Sequence, residues 1–245
     1  METLKADFHI HTAEDPYDVI KWDARRIIEE GARHGFRVLA LTNHISNCYS
    51  EELAEYAAER NIVLIPGCES QLNRRHVVLL NPTPEAMACR NFAELRRARR
   101  NARHMAVIAP HAFFPSPVSL WSWLYRYADI FDAIEWCSYY FKWLNFNRFA
   151  KQAARLLDLP MVGSSDTHYP WQFGKTYTMI EAEPTVEGVI ESIHEGRCRI
   201  VTKPFKFNVF TIFLGLRGLG LAEKLLADSD EKLSRGVEQY ESGVR

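Results

Sequence analysis

No CxxC pair occurs in this chain: its five cysteines, Cys48, Cys68, Cys89, Cys137 and Cys198, are scattered through 245 residues. Such usage excludes a disulfide framework, and with no secretory leader in view a reducing, cytoplasmic setting is expected. No apolar run reaches the ~18 residues of a membrane-spanning helix. Neither sign of charge is in excess, since 30 Lys and Arg stand against 31 Asp and Glu. A formal charge of −1 argues against nucleic-acid binding through bulk charge, while leaving room for a local basic patch. Internal repeats, low-complexity tracts and linkers are missing before residue 202. What is left is an ordinary globular composition, 47% hydrophobic and 25% charged, in a length that suits one large domain.

Short apolar segments alternate with amphipathic ones. Strands are predicted near 4–8, 37–41, 61–65, 76–80, 105–109, 131–135, 159–163, 177–180 and 199–201. Helices are predicted over 18–35, 50–60, 91–103, 119–127, 145–157 and 185–194, the third of them strongly basic. This alternation predicts a parallel sheet with crossover helices, and with roughly seven strands a closed or nearly closed α/β barrel. The tail differs: 205–226 is strongly apolar with Gly215, Gly218 and Gly220, and 227–245 is polar and helix-prone. A barrel domain over 1–204 and a helical extension over 205–245 are therefore expected. Three placements are open to the extension: against the barrel, on a second subunit, or on a membrane surface.

The strand ends carry the chemistry. Asp7-Phe8-His9-Ile10-His11-Thr12 closes the first strand, and histidines spaced i, i+2 on a strand share one side. His44 ends the second strand, Glu69 the third, His111 a later one, and Asp166 with His168 repeat the i, i+2 spacing. In α/β barrels these ends converge on one mouth. His76 stands at the start of its strand, so barrel logic alone does not assign it. Counting it, six of nine histidines converge, which packing does not explain; His34, His104 and His194 fall on helices or loops. Imidazole and carboxylate without thiolate suit zinc, iron or manganese. The donors exceed one tetrahedral set, so two or three divalent ions are expected, with Glu69 or Asp166 bridging.

Six motifs now stand in order: Asp7–Thr12, Leu41-Thr42-Asn43-His44, Gly67-Cys68-Glu69, His76 before Val77-Val78-Leu79, Ala109-Pro110-His111 and Gly163-Ser164-Ser165-Asp166-Thr167-His168. Over residues 4 to about 202 the chain resembles the polymerase and histidinol phosphatase (PHP) superfamily of metal-dependent phosphoesterases. The resemblance implies a distorted (β/α)7 TIM-like barrel with a trinuclear centre at its mouth. It implies one ion on His9, His11, Glu69 and Asp166, a second on Glu69, His76 and His111, and a third involving His44 and His168. Asn43 replaces the family's usual aspartate. Asp15 is the nearest candidate for the loop ligand that relatives carry after the HxH. Glu135 is followed by Trp136 where relatives often have asparagine, which points to an altered substrate contact.

The resulting expectation is a phosphatase: hydrolysis of a phosphate monoester, from a small metabolite or nucleotide, by a metal-bound hydroxide. Asp166, His111 and His168 are the expected catalytic residues, with His168 or His111 passing a proton to the leaving oxygen. Arg74, Arg75 and Lys175 are candidate phosphate binders, and Phe113, Phe114, Tyr139, Tyr140, Trp171 and Phe173 candidate pocket walls. A metal-dependent amidohydrolase would need a strand-end lysine that is missing. A phosphodiesterase or exonuclease acting on nucleotides is the nearer rival, disfavoured by the lack of an extended basic, aromatic-rich groove. A non-catalytic metal-binding scaffold predicts lost ligands, and almost none are lost.

Overall fold

A computed structural model of the protein describes residues 1–205. The expected helical extension, from residue 206 onward, lies outside the described residues. The strands are β1 (Glu2–Ile10), β2 (Val38–Leu41), β3 (Val63–Leu72), β4 (Arg75–Leu80), β5 (Ala106–Ala109), β6 (Ala133–Trp136), β7 (Met161–Gly163), β8 (Thr176–Ala182) and β9 (Cys198–Thr202). The helices are α1 (Ala24–Arg33), α2 (Glu51–Ala58), α3 (Pro84–Ala88), α4 (Phe92–Ala98), α5 (Ser122–Arg126), α6 (Asn147–Leu157) and α7 (Val186–His194). Most helices start where a short polar side chain satisfies a free backbone N–H: Asp23, Ser50, Thr83, Asn91 and Thr185 each accept one. The basic stretch is helical for less of its length than its pattern predicts, since α4 gives way to a 3₁₀ turn at Arg99–Asn101.

The sheet runs β7-β6-β5-β4-β3-β2-β1-β8-β9. Its two ends approach each other: Gly163 of β7 donates to Thr178 Oγ1 at 2.8 Å, and a Cβ at Gly163 would lie 2.9 Å from Ile200 Cγ2. Only a glycine allows that approach, which brings the sheet close to a barrel. The expected barrel class therefore holds, with a correction in its detail. Among the described residues there are nine strands, and β1–β8, β3–β4, β4–β5 and β8–β9 pair antiparallel. Turn chemistry made the difference: Asn73 and Arg74 both take positive φ, closing β3 and β4 into a tight hairpin where a crossover was expected.

One apolar cluster draws side chains from every strand between β1 and β8, among them Phe8, Val38, Ile65, Val78, Ile108 and Val162. Such a set is the filled interior of a barrel. Val189, Ile190 and Ile193 of α7 join it. Two further clusters lie between the strands and the remaining helices: α1 and α2 cover one stretch, α3 to α6 another. Within β1 the register slips between Asp7 and Ile10. Leu4, Ala6 and Phe8 face the interior, yet two positions later Ile10 sits in an outer cluster. This bulge reverses the alternation, so that His9 and His11 take the inward positions above Phe8.

Among the described residues no helix is long and apolar enough to cross a membrane. Near the start of β5, Asp132 accepts from Val107 N–H at 2.8 Å and pairs with Arg99 and with His194 Nε2 at 3.5 Å. The bond to Asp132 raises the His194 pKa despite burial. A group whose folded pKa is raised gives its stabilisation below its unfolded value, about 6.5, and loses it as pH climbs through the folded one. His194→Gln should therefore cost about 1 kcal/mol at pH 5.5, with the gap to wild type shrinking in thermal melts as the pH is raised past the ordinary histidine range.

Candidate metal centre

At the upper end of the barrel, backbone hydrogen bonds stitch the ligand-bearing segments together. Asp166 N–H donates to His9 O at 2.9 Å and His11 N–H to Thr167 O at 3.2 Å, joining β1 to the loop after β7. Glu69 N–H donates to Thr42 O at 3.1 Å, and Ile45 N–H to Glu69 O at 2.9 Å, joining β2 to β3. Gly67 makes this possible, since a Cβ there would lie 2.8 Å from Thr42 Cγ2. Three residues at the site adopt left-handed backbone, His111 (φ 30), Asp166 (φ 48) and Ile45 (φ 53). Such conformations persist only where the surroundings fix them, here in service of aiming side chains inward.

The six expected histidines meet in one place. His9 Nε2 and His11 Nε2 lie 3.1 Å apart, with Asp166 Oδ1 at 3.6 and 3.4 Å and the two Glu69 oxygens at 3.5 Å from one or the other. His44 Nε2, His76 Nδ1 and His111 Nε2 reach Glu69 at 3.0, 2.9 and 3.1 Å. Glu69 is thus the hub of the cluster, 2% exposed. Four sets of donor atoms fall within 4.8 Å of one another: His9, His11 and Asp166; His11, His44 and Glu69; Glu69, His76 and His111; Asp15, Asp18 and His44. His76, which strand-end logic left aside, belongs because β4 runs antiparallel to β3, so its start lies beside the end of its neighbour.

A second layer of carboxylates stands behind the imidazoles. Glu135, fully buried on β6, accepts from His9 Nδ1 at 2.8 Å, and its other oxygen accepts the His111 N–H at 3.3 Å. Asp15 Oδ2 accepts from His11 Nδ1 at 2.9 Å, from His44 Nδ1 at 2.9 Å and from His44 N–H at 2.8 Å. Its Oδ1 takes the N–H groups of Tyr17 and Asp18. With Nδ1 of both His9 and His11 donating outward, both Nε2 lone pairs point at one spot 3.1 Å across. Two lone pairs so placed repel unless a cation sits between them. The donor set therefore fits divalent ions.

The electrostatics agree. Burial opposes charge on His9, but Asp166, Glu69 and Glu135 overcome it and hold its pKa well above the usual histidine value. Burial works against a charged His44 too, and Asp15 and Glu69 carry its pKa to about 10. His11, buried beside His168, is pushed down. Burial would raise Glu69 and Asp166, but the surrounding imidazoles keep both well below the carboxylate range. Positive charge is demanded at the centre of the cluster.

Other expected residues sit elsewhere or act differently. The Arg75 guanidinium donates to the carbonyls of Pro117 and Ser119, the latter at 3.1 Å, so it braces the loop after β5. Arg74 is exposed at the β3–β4 hairpin tip and Lys175 is exposed after the Asp166–His168 loop; among the described residues neither bonds to the cluster. Phe113, Phe114 and Tyr139 do line a crevice beside His111. Tyr140 instead bonds to Thr202, and Phe173 packs on Phe36. Tyr139 donates its hydroxyl proton to Asp166 O at 2.7 Å. Glu135, the residue before the Trp136 departure, lies behind His9. Asp18 was missed: its Oδ2 is 3.1 Å from His168 Nε2 and 3.8 Å from His44 Nδ1. An acidic residue in the loop after the HxH was the available signal, and Asp15 absorbed it.

Comparison with known proteins follows the same line. Residues 145–198 match the family model described as PHP-associated. No curated protein is similar enough to match the chain. Among solved structures, the fold is similar to a two-domain protein from Bacteroides vulgatus containing a predicted PHP-like metal-dependent phosphoesterase (TM-score 0.64, 21% identity). That match covers 82% of this chain and 65% of the other, so this chain spans under two thirds of that relative. PsfC from Pseudomonas syringae gives 0.60 at 19% identity, covering 83% and 93%. The lesion-specific endonuclease PfuEndoQ from Pyrococcus furiosus gives 0.55 at 16%, covering 81% and 58%.

Outer carboxylates of this kind tune the affinity of the ligands they hold. Glu135→Gln keeps the shape and an acceptor for His9 Nδ1 but removes the charge. Divalent-ion affinity, measured by competition against a chromogenic chelator, should fall by about 10- to 100-fold.

Proposed function

From the premise of a PHP-superfamily barrel, we propose that the protein is a metal-dependent phosphoesterase that hydrolyses a phosphate monoester. One observation carries the reading: the two facing Nε2 atoms of His9 and His11, closed in by Asp166 and Glu69. His9, His11 and Asp166 would hold one ion together with Glu69, and Glu69, His76 and His111 a second. His44 and Asp18 would serve a third, with His168 beside them and Asp15 clamping His44 from behind. When bound, divalent ions make water nucleophilic near neutral pH and offset the charge of a phosphate.

The chain's own groups do the remaining work. Glu69, reached by three imidazoles, ties the His44, His76 and His111 side chains together and would be shared by two of the groups that could hold an ion. Asp15 and Glu135 keep Nδ1 protonated on His11 and His9, so neither ring turns away. His168 lies 3.1 Å from the Asp166 carbonyl through Nδ1, which sets Nε2 toward the mouth and Asp18. That nitrogen is the candidate to pass a proton to the leaving oxygen. The Tyr139 hydroxyl and Gln172 hold the loop that presents Asp166 and His168, with Gln172 Oε1 accepting the His168 N–H at 2.6 Å.

Protein purified without chelator or histidine tag should carry two or more zinc, iron or manganese ions per chain by elemental analysis, and should hydrolyse p-nitrophenyl phosphate. Asp166→Ala and His11→Ala should each lose metal and lower turnover by about 100- to 1,000-fold, the scale of removing one charge-stabilising element. Less than one ion per chain, or hydrolysis indifferent to both substitutions, would overturn the reading in favour of a binding barrel.

A further inference from the structure

Residues 90–104 hold six arginines and a single carboxylate, Glu94, in a chain of formal charge −1. Phe92, Leu95 and Ala98 bury one side of α4, so its other side faces solvent. Arg96 pairs with Asp129 at 2.6 Å and Arg99 with Asp132. Arg90, Arg97, Arg100 and Arg103 are exposed and, among the described residues, belong to no ion pair. Arg97 and Arg100, three positions apart, share a face, and Arg103 continues it past the 3₁₀ turn. At the other end this row reaches the edge of the metal centre. Asn73, at the hairpin tip, donates its N–H to Arg90 O at 3.0 Å and accepts the Phe92 N–H at 3.1 Å. Arg74 is the next residue on that tip, exposed, and His76 follows two positions later.

We propose that Arg74, Arg90, Arg97, Arg100 and Arg103 bind the phosphodiester backbone of a single-stranded nucleic acid and lead it to the His76 edge of the metal centre. Guanidinium groups match phosphate with paired hydrogen bonds, and every charged side chain in the row is an arginine. From Arg97 to Arg103 the backbone advances roughly 10 Å, enough to meet more than one phosphate of a strand. A membrane surface fits less well, because no large apolar side chain is exposed within residues 90–104. The phosphate handled at the metal centre is then one carried by an oligonucleotide. The inference rests on the phosphoesterase reading for that last step, while the binding surface is measured without it.

The test is fluorescence anisotropy of a labelled 20-nucleotide single strand with the full chain between 50 and 200 mM salt. Wild type is compared with Arg97→Gln/Arg100→Gln and Arg97→Glu/Arg100→Glu, with circular dichroism to show that both variants fold. Losing two phosphate contacts should make the salt slope shallower by about 1.4. Affinity at 50 mM salt should fall at least tenfold, with metal content and p-nitrophenyl phosphate hydrolysis unchanged. Absence of binding by wild type, equal binding by both variants, or equal binding to polyglutamate or phosphatidylserine vesicles would overturn the proposal. If wild type hydrolyses nothing yet the variants lose the oligonucleotide, the phosphoesterase reading fails and the surface stands.

Discussion

Two imidazole nitrogens held 3.1 Å apart are the constraint around which the upper half of this barrel is built. Left alone, such a pair would separate or share a proton. Here they stay together, because Glu135 and Asp15 grip the far nitrogens and β1 fixes both backbones. The cluster is therefore wound against itself, and its carboxylates stay ionised although they are nearly sealed from water. Packing elsewhere is subordinate to this: the lower interior is an apolar plug that keeps the strand ends at a fixed spacing.

The cost of that arrangement shows in the backbone. His111 and Asp166 occupy left-handed conformations that favour glycine, yet glycine there would carry no donor atom. Hydrogen bonds from neighbouring segments hold them: Asp166 through His9 O, and His111 through Glu135. Function and strain fall on the same residues, as expected where local preference is overruled for the sake of a site.

The convergence of this cluster was largely legible in the sequence, because strand ends can be placed from hydrophobic runs and histidine is scarce enough to stand out. His9, His11, His44, Glu69, His111, Asp166 and His168 were all reachable in this way. The strand pairings were not, since the hairpin at Asn73-Arg74 depends on two non-glycine residues taking positive φ, which periodicity does not report. Glu135 and Asp15 show the other limit. A carboxylate that holds a histidine and one that holds an ion are the same letter in the chain, and only the direction of its oxygens separates them. Arg75 is the same lesson for cations: a guanidinium beside a ligand looked available for phosphate, while two carbonyls had already taken it.

The bulge in β1 divides that strand into two regimes of mutational tolerance. Below it, Leu4, Ala6 and Phe8 answer to volume, and another apolar side chain of similar size can stand in their place. Above it, His9 and His11 answer to the positions of their ring nitrogens in the cluster, where no apolar substitute of similar size will serve. A change in length between Asp7 and His9 would trade one regime for the other, sending imidazoles into the outer apolar layer and Ile10 into the polar mouth. In this segment the count of residues is as binding a requirement as their identity.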